Sequence, residues 1–286
     1  MLIYSMEYTF HIDGRTIDLN YEVDIDGTFR DEINKVILET CCSFDIAKMF
    51  NHINFVINIS PNGGHFDSTT GIIYLDYESI EKKDRNKRAS WIMDVVLHEL
   101  THFWHLSMEG TYRKIIVSLN KQKQLIEKKE SQNPQKNTLL FRFQHFFYAL
   151  YLEGIAMYSE RALQEKLSFD KGELTRLYNE AADKSSWINT MLQGGFEKER
   201  GVINDDIVSK SFNPYKIGLH MVYCILYVDN TIDIEFVMRM KFIDSVKKYE
   251  DCMNKAKLRP LISMSSGKGD IDYKRSLKLI KTSRII

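Results

Sequence analysis

His98 and His102 stand four residues apart with Glu99 between them, in the run Leu97-His98-Glu99-Leu100-Thr101-His102-Phe103. On a helix, residues four apart lie one turn above each other on one face, so both imidazoles can point at a common metal ion. Glu99 lies beside that face and can reach a water at the ion without competing for it as a ligand. The chemistry this set can do is metal-assisted hydrolysis, with Zn2+ as the ion that suits the ligands and Glu99 as general base. Val95, Val96, Leu97, Leu100 and Phe103 cover the remaining faces of the same helix and would wall the ion off from water.

Two histidines leave a catalytic zinc site one protein ligand short. His105 falls on the same face, but it lies a turn beyond His102, too far along a straight helix to close the same coordination sphere. It reads as a packed or rim histidine. Glu153 is the better third ligand. It stands in Tyr151-Leu152-Glu153-Gly154-Ile155-Ala156-Met157, amid Phe146, Phe147, Tyr148 and Leu150. A carboxylate in so apolar a setting needs a partner, and a metal ion is one; the plainer reading is an exposed stripe of an amphipathic helix.

Together, the HExxH run and this second segment resemble the gluzincin type of zinc metallopeptidase. The second segment is similar to the Glu-Gly-x-Ala element on the second metal-binding helix of that group, such as the Asn-Glu-Gly-Phe-Ala of neutral aminopeptidases. The resemblance covers two short segments and implies His98, His102 and Glu153 as the zinc ligands. Small side chains at Gly154 and Ala156 would let the second helix approach the first. The metzincin pattern is excluded, because its glycine and third histidine fall here on His105 and Met108. Aminopeptidase activity is not implied either: the interval from His102 to Glu153 is longer than in those enzymes, and their Gly-Ala/x-Met-Glu-Asn signature is absent. Thermolysin-like enzymes carry an aspartate four residues after the glutamate ligand, where this chain has Met157. Glu160 or Asp94 could take over the orienting of a histidine, a surface role being the alternative for each.

The resemblance further implies a tyrosine or histidine in the C-terminal lobe that steadies the oxyanion. Asn213-Pro214-Tyr215-Lys216-Ile217-Gly218-Leu219-His220 offers both. Pro214 opens a helix with Tyr215 in its first turn, and the Tyr-x-x-Gly spacing is similar to an element found after Glu-Gly-x-Ala in several bacterial zinc peptidases. Tyr215 is the first choice and His220 the second. The expected activity is zinc-dependent hydrolysis of a peptide or protein substrate, with an endopeptidase preferred. The alternative is a non-catalytic zinc-binding zincin-like interaction module, favoured by the missing aspartate.

The elements that must position these groups read as α+β and zincin-like. Strands are expected over 8–12 and 16–23 about an Asp13-Gly14 turn, then over 52–60 and 71–77, with a helix over 29–50. The strand over 71–77, just before the zinc helix, would be the sheet edge that pairs with an extended substrate, an interior strand being the alternative. His65, after Gly63-Gly64, reads as a loop residue. From 91 onward the pattern is helical: 91–107, 112–129, 138–167, 171–192, 214–228 and 234–258, with a charged loop at 128–136 and a loosely ordered basic tail after Pro260. The expected division is 1–107, a small twisted-sheet lobe with the zinc helix, and 108–286, a mostly helical lobe supplying the third ligand.

Composition narrows the function class. Lys plus Arg equals Asp plus Glu at 39 each, so there is no net charge to draw nucleic acid or an anionic membrane. None of Cys41, Cys42, Cys224 and Cys252 forms a Cys-x-x-Cys pair, which argues against a thiolate zinc site; Cys41 and Cys42 read as buried thiols. The first residues lack the basic start and apolar run of a signal peptide, and no apolar run nears the roughly 18 residues a membrane span needs. The expectation is a reduced, cytoplasmic protein, with non-classical secretion left open. Oligomeric state is not readable from the sequence.

Overall fold

The structure, a computed structural model, describes residues 5–59, 63–108, 111–127, 134–198, 214–264, 269, 271–274 and 278. It is mixed α and β and divides into two units. The first comprises Met1–Ser107 and Ser159–Lys166, and the second Met108–Tyr158 and Leu167–Ile286.

The first unit is built on a five-stranded mixed sheet in the order β1-β2-β3-β5-β4. Strands β1 (Met6–Ile12) and β2 (Arg15–Tyr21) form the expected hairpin. Asp13 and Gly14 take φ of 51° and 76°, and a two-residue turn with both φ values positive matches the twist of the strands it joins. Helix α1 (Gly27–Ser43) then crosses over to β3 (His52–Asn58), which lies parallel to β2. The side chain of Asp26 caps α1 by accepting hydrogen bonds from the amides of Thr28 and Phe29. Phe44, in extended conformation, ends α1 and precedes the short α2 (Asp45–Lys48), so the single helix expected over 29–50 is two.

Strand β4 (Gly64–Asp67) and strand β5 (Ile72–Asp76) are antiparallel to each other, and β5 lies parallel to β3. The edge of the sheet on that side is therefore β4. The expected edge strand, β5, is interior, with β3 on one side and β4 on the other. His65 accordingly sits in a strand, its ring stacked on Tyr74 with centroids 4.6 Å apart.

Alternation along the strands decides which face is covered. Ile17, Leu19, Tyr21, Ile53, Phe55, Ile57, Ile73 and Leu75 are buried, and they share one core with Ile33 and Ile37 of α1. The next helices are α3 (Tyr77–Glu81) and α4 (Arg85–Ser107), and α4 adds Ile92, Val96, Leu97 and Leu100 to that core. The other face carries paired polar groups: Thr9 Oγ1 donates to Asp18 Oδ1 at 2.7 Å and Asn20 Nδ2 to Asn54 Oδ1 at 2.9 Å. The sheet thus has one packed and one wetted face.

In the second unit lie α5 (Thr111–Glu127), most of α6 (Pro134–Leu163), α7 (Lys171–Lys198), α8 (Pro214–Val228), α9 (Ile234–Arg239) and α10 (Phe242–Lys255), then the short strands β6 (Ile262–Ser263) and β7 (Ile271–Asp272). Every residue of α8 from 217 to 226 is buried, which marks it as the central helix of this unit. The helix expected over 234–258 is broken at Met240, whose backbone is extended (φ −65°, ψ 149°). Tyr151 of α6 donates to the carbonyls of Val237, at 2.5 Å, and Met240, at 2.9 Å, and so fills acceptors that this break exposes. Among the described residues no helix is long and apolar enough to cross a membrane. The four cysteines are free, with Cys41, Cys224 and Cys252 buried and Cys42 half-buried. Most of the expected charged loop, and the chain end beyond 278, fall outside the described residues.

Candidate metal centre

Helix α4 forms because its first stretch is free of breakers and its apolar residues recur on the face turned to the sheet. That packing leaves His98 and His102 together on another face. Their rings meet edge to face, with centroids 5.0 Å apart. His102 is 6% exposed and His98 is largely buried. One ligand atom each from His98, His102 and Glu153 lies within 4.8 Å of the other two, and this is the one such group of histidine, cysteine or carboxylate residues among the described residues. Two imidazoles and a carboxylate at that spacing could hold a metal ion. His105 is buried at 1% exposure and is not part of the group.

Glu160 lies two turns beyond Glu153 on the same stripe of α6. Its Oε2 stands 3.3 Å from Nδ1 of His98, with both side chains about 15% exposed or less. A carboxylate accepting a hydrogen bond from Nδ1–H leaves the lone pair on Nε2, the nitrogen that could then bind a metal ion, and makes it more basic. Asp94 does something else. Its Oδ1 accepts from Gln164 Nε2 at 2.9 Å and Lys166 Nζ at 2.7 Å, which ties α4 to the chain around the end of α6. Of the two carboxylates considered for the orienting role, Glu160 has the contact.

Glu99 is buried, 6% exposed, on the face of α4 that meets β4. A Cβ added at Gly64 would come within 2.4 Å of Val95 Cγ1 and 3.7 Å of Glu99 Oε1. One turn further on, Phe66 stacks on Phe103 at 5.3 Å between centroids. The edge strand thus runs down α4 past the expected general base, and only a residue without a side chain lets it come so near. Sequence reasoning missed this strand, although the Gly63-Gly64 pair signalled a close backbone approach.

No family model matches the chain, and no curated protein matches it. The reading of the site therefore stands on the residues alone.

Gly154 meets a different helix from the one expected. Its Cβ position is filled by Gly218 of α8, with backbone atoms at 2.4 to 2.6 Å, so the small residue serves the α6–α8 crossing. Another neighbour unforeseen in the sequence is His145 on α6. Burial holds this histidine below its ordinary pKa, while the negative charge of Glu153 acts in the opposite sense.

The two expected oxyanion donors have different surroundings. Tyr215 is 38% exposed in the first turn of α8. His220 is fully buried, its Nδ1 3.2 Å from the hydroxyl of Tyr249, which itself accepts a hydrogen bond from the amide of Leu261. The rings of Tyr178 and Tyr249 pack edge-on against it. Burial lowers the His220 pKa to about 3, so this imidazole is neutral at ordinary pH.

Proposed function

We propose that the chain is a zinc-dependent peptidase of the gluzincin type, with a zincin-like first unit. The observation that carries this reading is the convergence of His98, His102 and Glu153 within 4.8 Å of one another. A bound zinc ion would supply a water of lowered pKa and polarise the substrate carbonyl. The chain's own residues would do the rest. Glu99 takes a proton from the attacking water and hands it to the departing amine nitrogen. Its carboxylate is buried, and its Oε1 lies 3.7 Å from the position a Cβ would take on Gly64 of the edge strand. Glu160 holds the His98 ring in one tautomer and one orientation throughout.

Tyr215 is the residue we place on the oxyanion, in preference to His220. Tyr215 is 38% exposed, whereas His220 is enclosed by Tyr178 and Tyr249. Substrate would bind as an added strand on β4. The carbonyl of Gly63 accepts from the amide of Asp76, so by alternation the backbone groups of Gly64 and Phe66 point to the open edge. An extended peptide pairing there would run alongside Glu99, and an endopeptidase is the preferred reading.

The alternative is a zinc-binding module without activity, which the aspartate missing at Met157 favours and the Glu160–His98 contact weighs against. Glu99→Gln tests the proposal. It should keep stoichiometric zinc while kcat/KM on a peptide library falls by roughly 10²–10⁴-fold, the span of a general base. Equal cleavage by the variant and the wild type would remove Glu99 from the mechanism. An absence of any zinc-dependent cleavage by the wild type would favour the inactive module.

A further inference from the structure

We propose that Gly218 is a positioning residue of the metal centre: its backbone contact with Gly154 fixes the turn of α6 that carries Glu153 and sets Tyr215 beside that turn. This inference rests on the zinc reading of the His98, His102 and Glu153 group.

The contact is unusually close for two helices. A Cβ on Gly218 would lie 2.0 Å from the carbonyl oxygen of Leu150, 2.8 Å from Gly154 Cα and 3.0 Å from Gly154 N. Leu150 O and Gly154 N are four residues apart, the acceptor and donor of one helical hydrogen bond. Gly218 therefore rests directly on a single turn of α6, and Glu153 is in that turn. From the other side, a Cβ on Gly154 would lie 2.4 Å from Gly218 C and 2.6 Å from Gly218 Cα. All of these atoms are backbone, so no rotamer change can make room for a methyl group. Neither glycine has a positive φ. They are needed for space and not for an unusual conformation.

The position of the crossing is what gives it a role. Around the crossing α6 buries the bulky Phe147, Leu150, Tyr151 and Ile155, with Ala156 and Ser159 as smaller buried residues further along. The backbones touch at the residue next to the carboxylate ligand. On α8, Tyr215 lies three residues before Gly218, about 4.5 Å along the axis at 1.5 Å per residue. The third ligand and the oxyanion donor are thus braced by one contact, and the Tyr-x-x-Gly spacing is the distance from the donor to the brace.

Hydrogen exchange on the wild-type protein with and without zinc tests this first. Zinc should slow exchange of amides over 150–154 in α6 and over 217–221 in α8 together. Protection in α6 with α8 unchanged would overturn the proposal. A wild type that takes up no zinc would instead sink the metal reading, and the proposal with it. Gly218→Ala should then weaken zinc binding by about tenfold or more and alter the visible absorption spectrum of the cobalt-substituted protein. Val222→Ala, also in the buried stretch of α8, should lower stability while leaving affinity and spectrum as in wild type. A Gly218→Ala protein with wild-type affinity and spectrum would overturn the brace. If that variant does not fold, the exchange pattern of the wild type decides.

Discussion

At the scale of single residues, the contact that governs the site is the 3.3 Å approach of Glu160 to Nδ1 of His98. On the proposed reading it would take the place of the aspartate that the resemblance led one to seek at Met157. The substitute was partly legible, since seven residues on a helix return to within about 20° of the starting face; the sequence could not choose between Glu160 and Asp94, because the choice depends on which neighbour packs against α4. Glu160→Gln should lower zinc affinity by roughly 10–100-fold, as loss of an orienting carboxylate does. Asp94→Asn should leave it unchanged, because Asp94 is engaged with Gln164 and Lys166. Chelator competition on both variants measures the difference, and equal losses would put Asp94 back at the rings.

At the scale of elements, the edge strand is where the sequence was misleading. The stretch at 71–77 has enough apolar alternation to be recognised. Gly64–Asp67 has only four residues, is rich in turn formers on both sides, and gives no period to count. The breaks at Phe44 and Met240 escaped notice for a related reason: neither is marked by proline or glycine, and apolar spacing continues through both. The long helices α4, α6 and α8 were legible because burial of one face, or all faces, imposes a pattern over many turns. Close approach of β4 to α4 has a measurable cost attached. Gly64→Ala places a methyl 2.4 Å from Val95 Cγ1 and should destabilise the protein by ~1–3 kcal/mol, as other overpacking changes do. Adding Val95→Ala should recover part of that loss. Urea unfolding of the two single variants and the double variant gives the coupling, and strict additivity would show that the two residues do not touch.

For the molecule as a whole, the first unit takes in Ser159–Lys166 along with Met1–Ser107, a return that no break in the sequence marks. Helix α6 is continuous through this change, and periodicity says which side of a turn is apolar without saying what covers it. Stability as a function of pH is a second whole-molecule property, and His220 contributes a defined share. Its folded pKa of about 3 lies below the ordinary 6.5, so below pH 6.5 the unfolded chain binds a proton that the folded protein refuses. Stability is therefore lost as pH falls from 6.5 toward 3, at up to ~1.4 kcal/mol per pH unit. Unfolding of wild type and His220→Asn at pH 7, 6 and 5 should give a steeper loss in the wild type. Parallel losses would mean that the imidazole titrates alike in both states.

The central claim is that His98, His102 and Glu153 hold one zinc ion between them. Anomalous diffraction at the zinc edge, from crystals of the protein grown with one equivalent of the metal, addresses it directly. The account predicts a single strong peak within bonding distance of both imidazoles and the Glu153 carboxylate. A peak elsewhere, or one at the histidines with Glu153 turned away from it, would contradict the account.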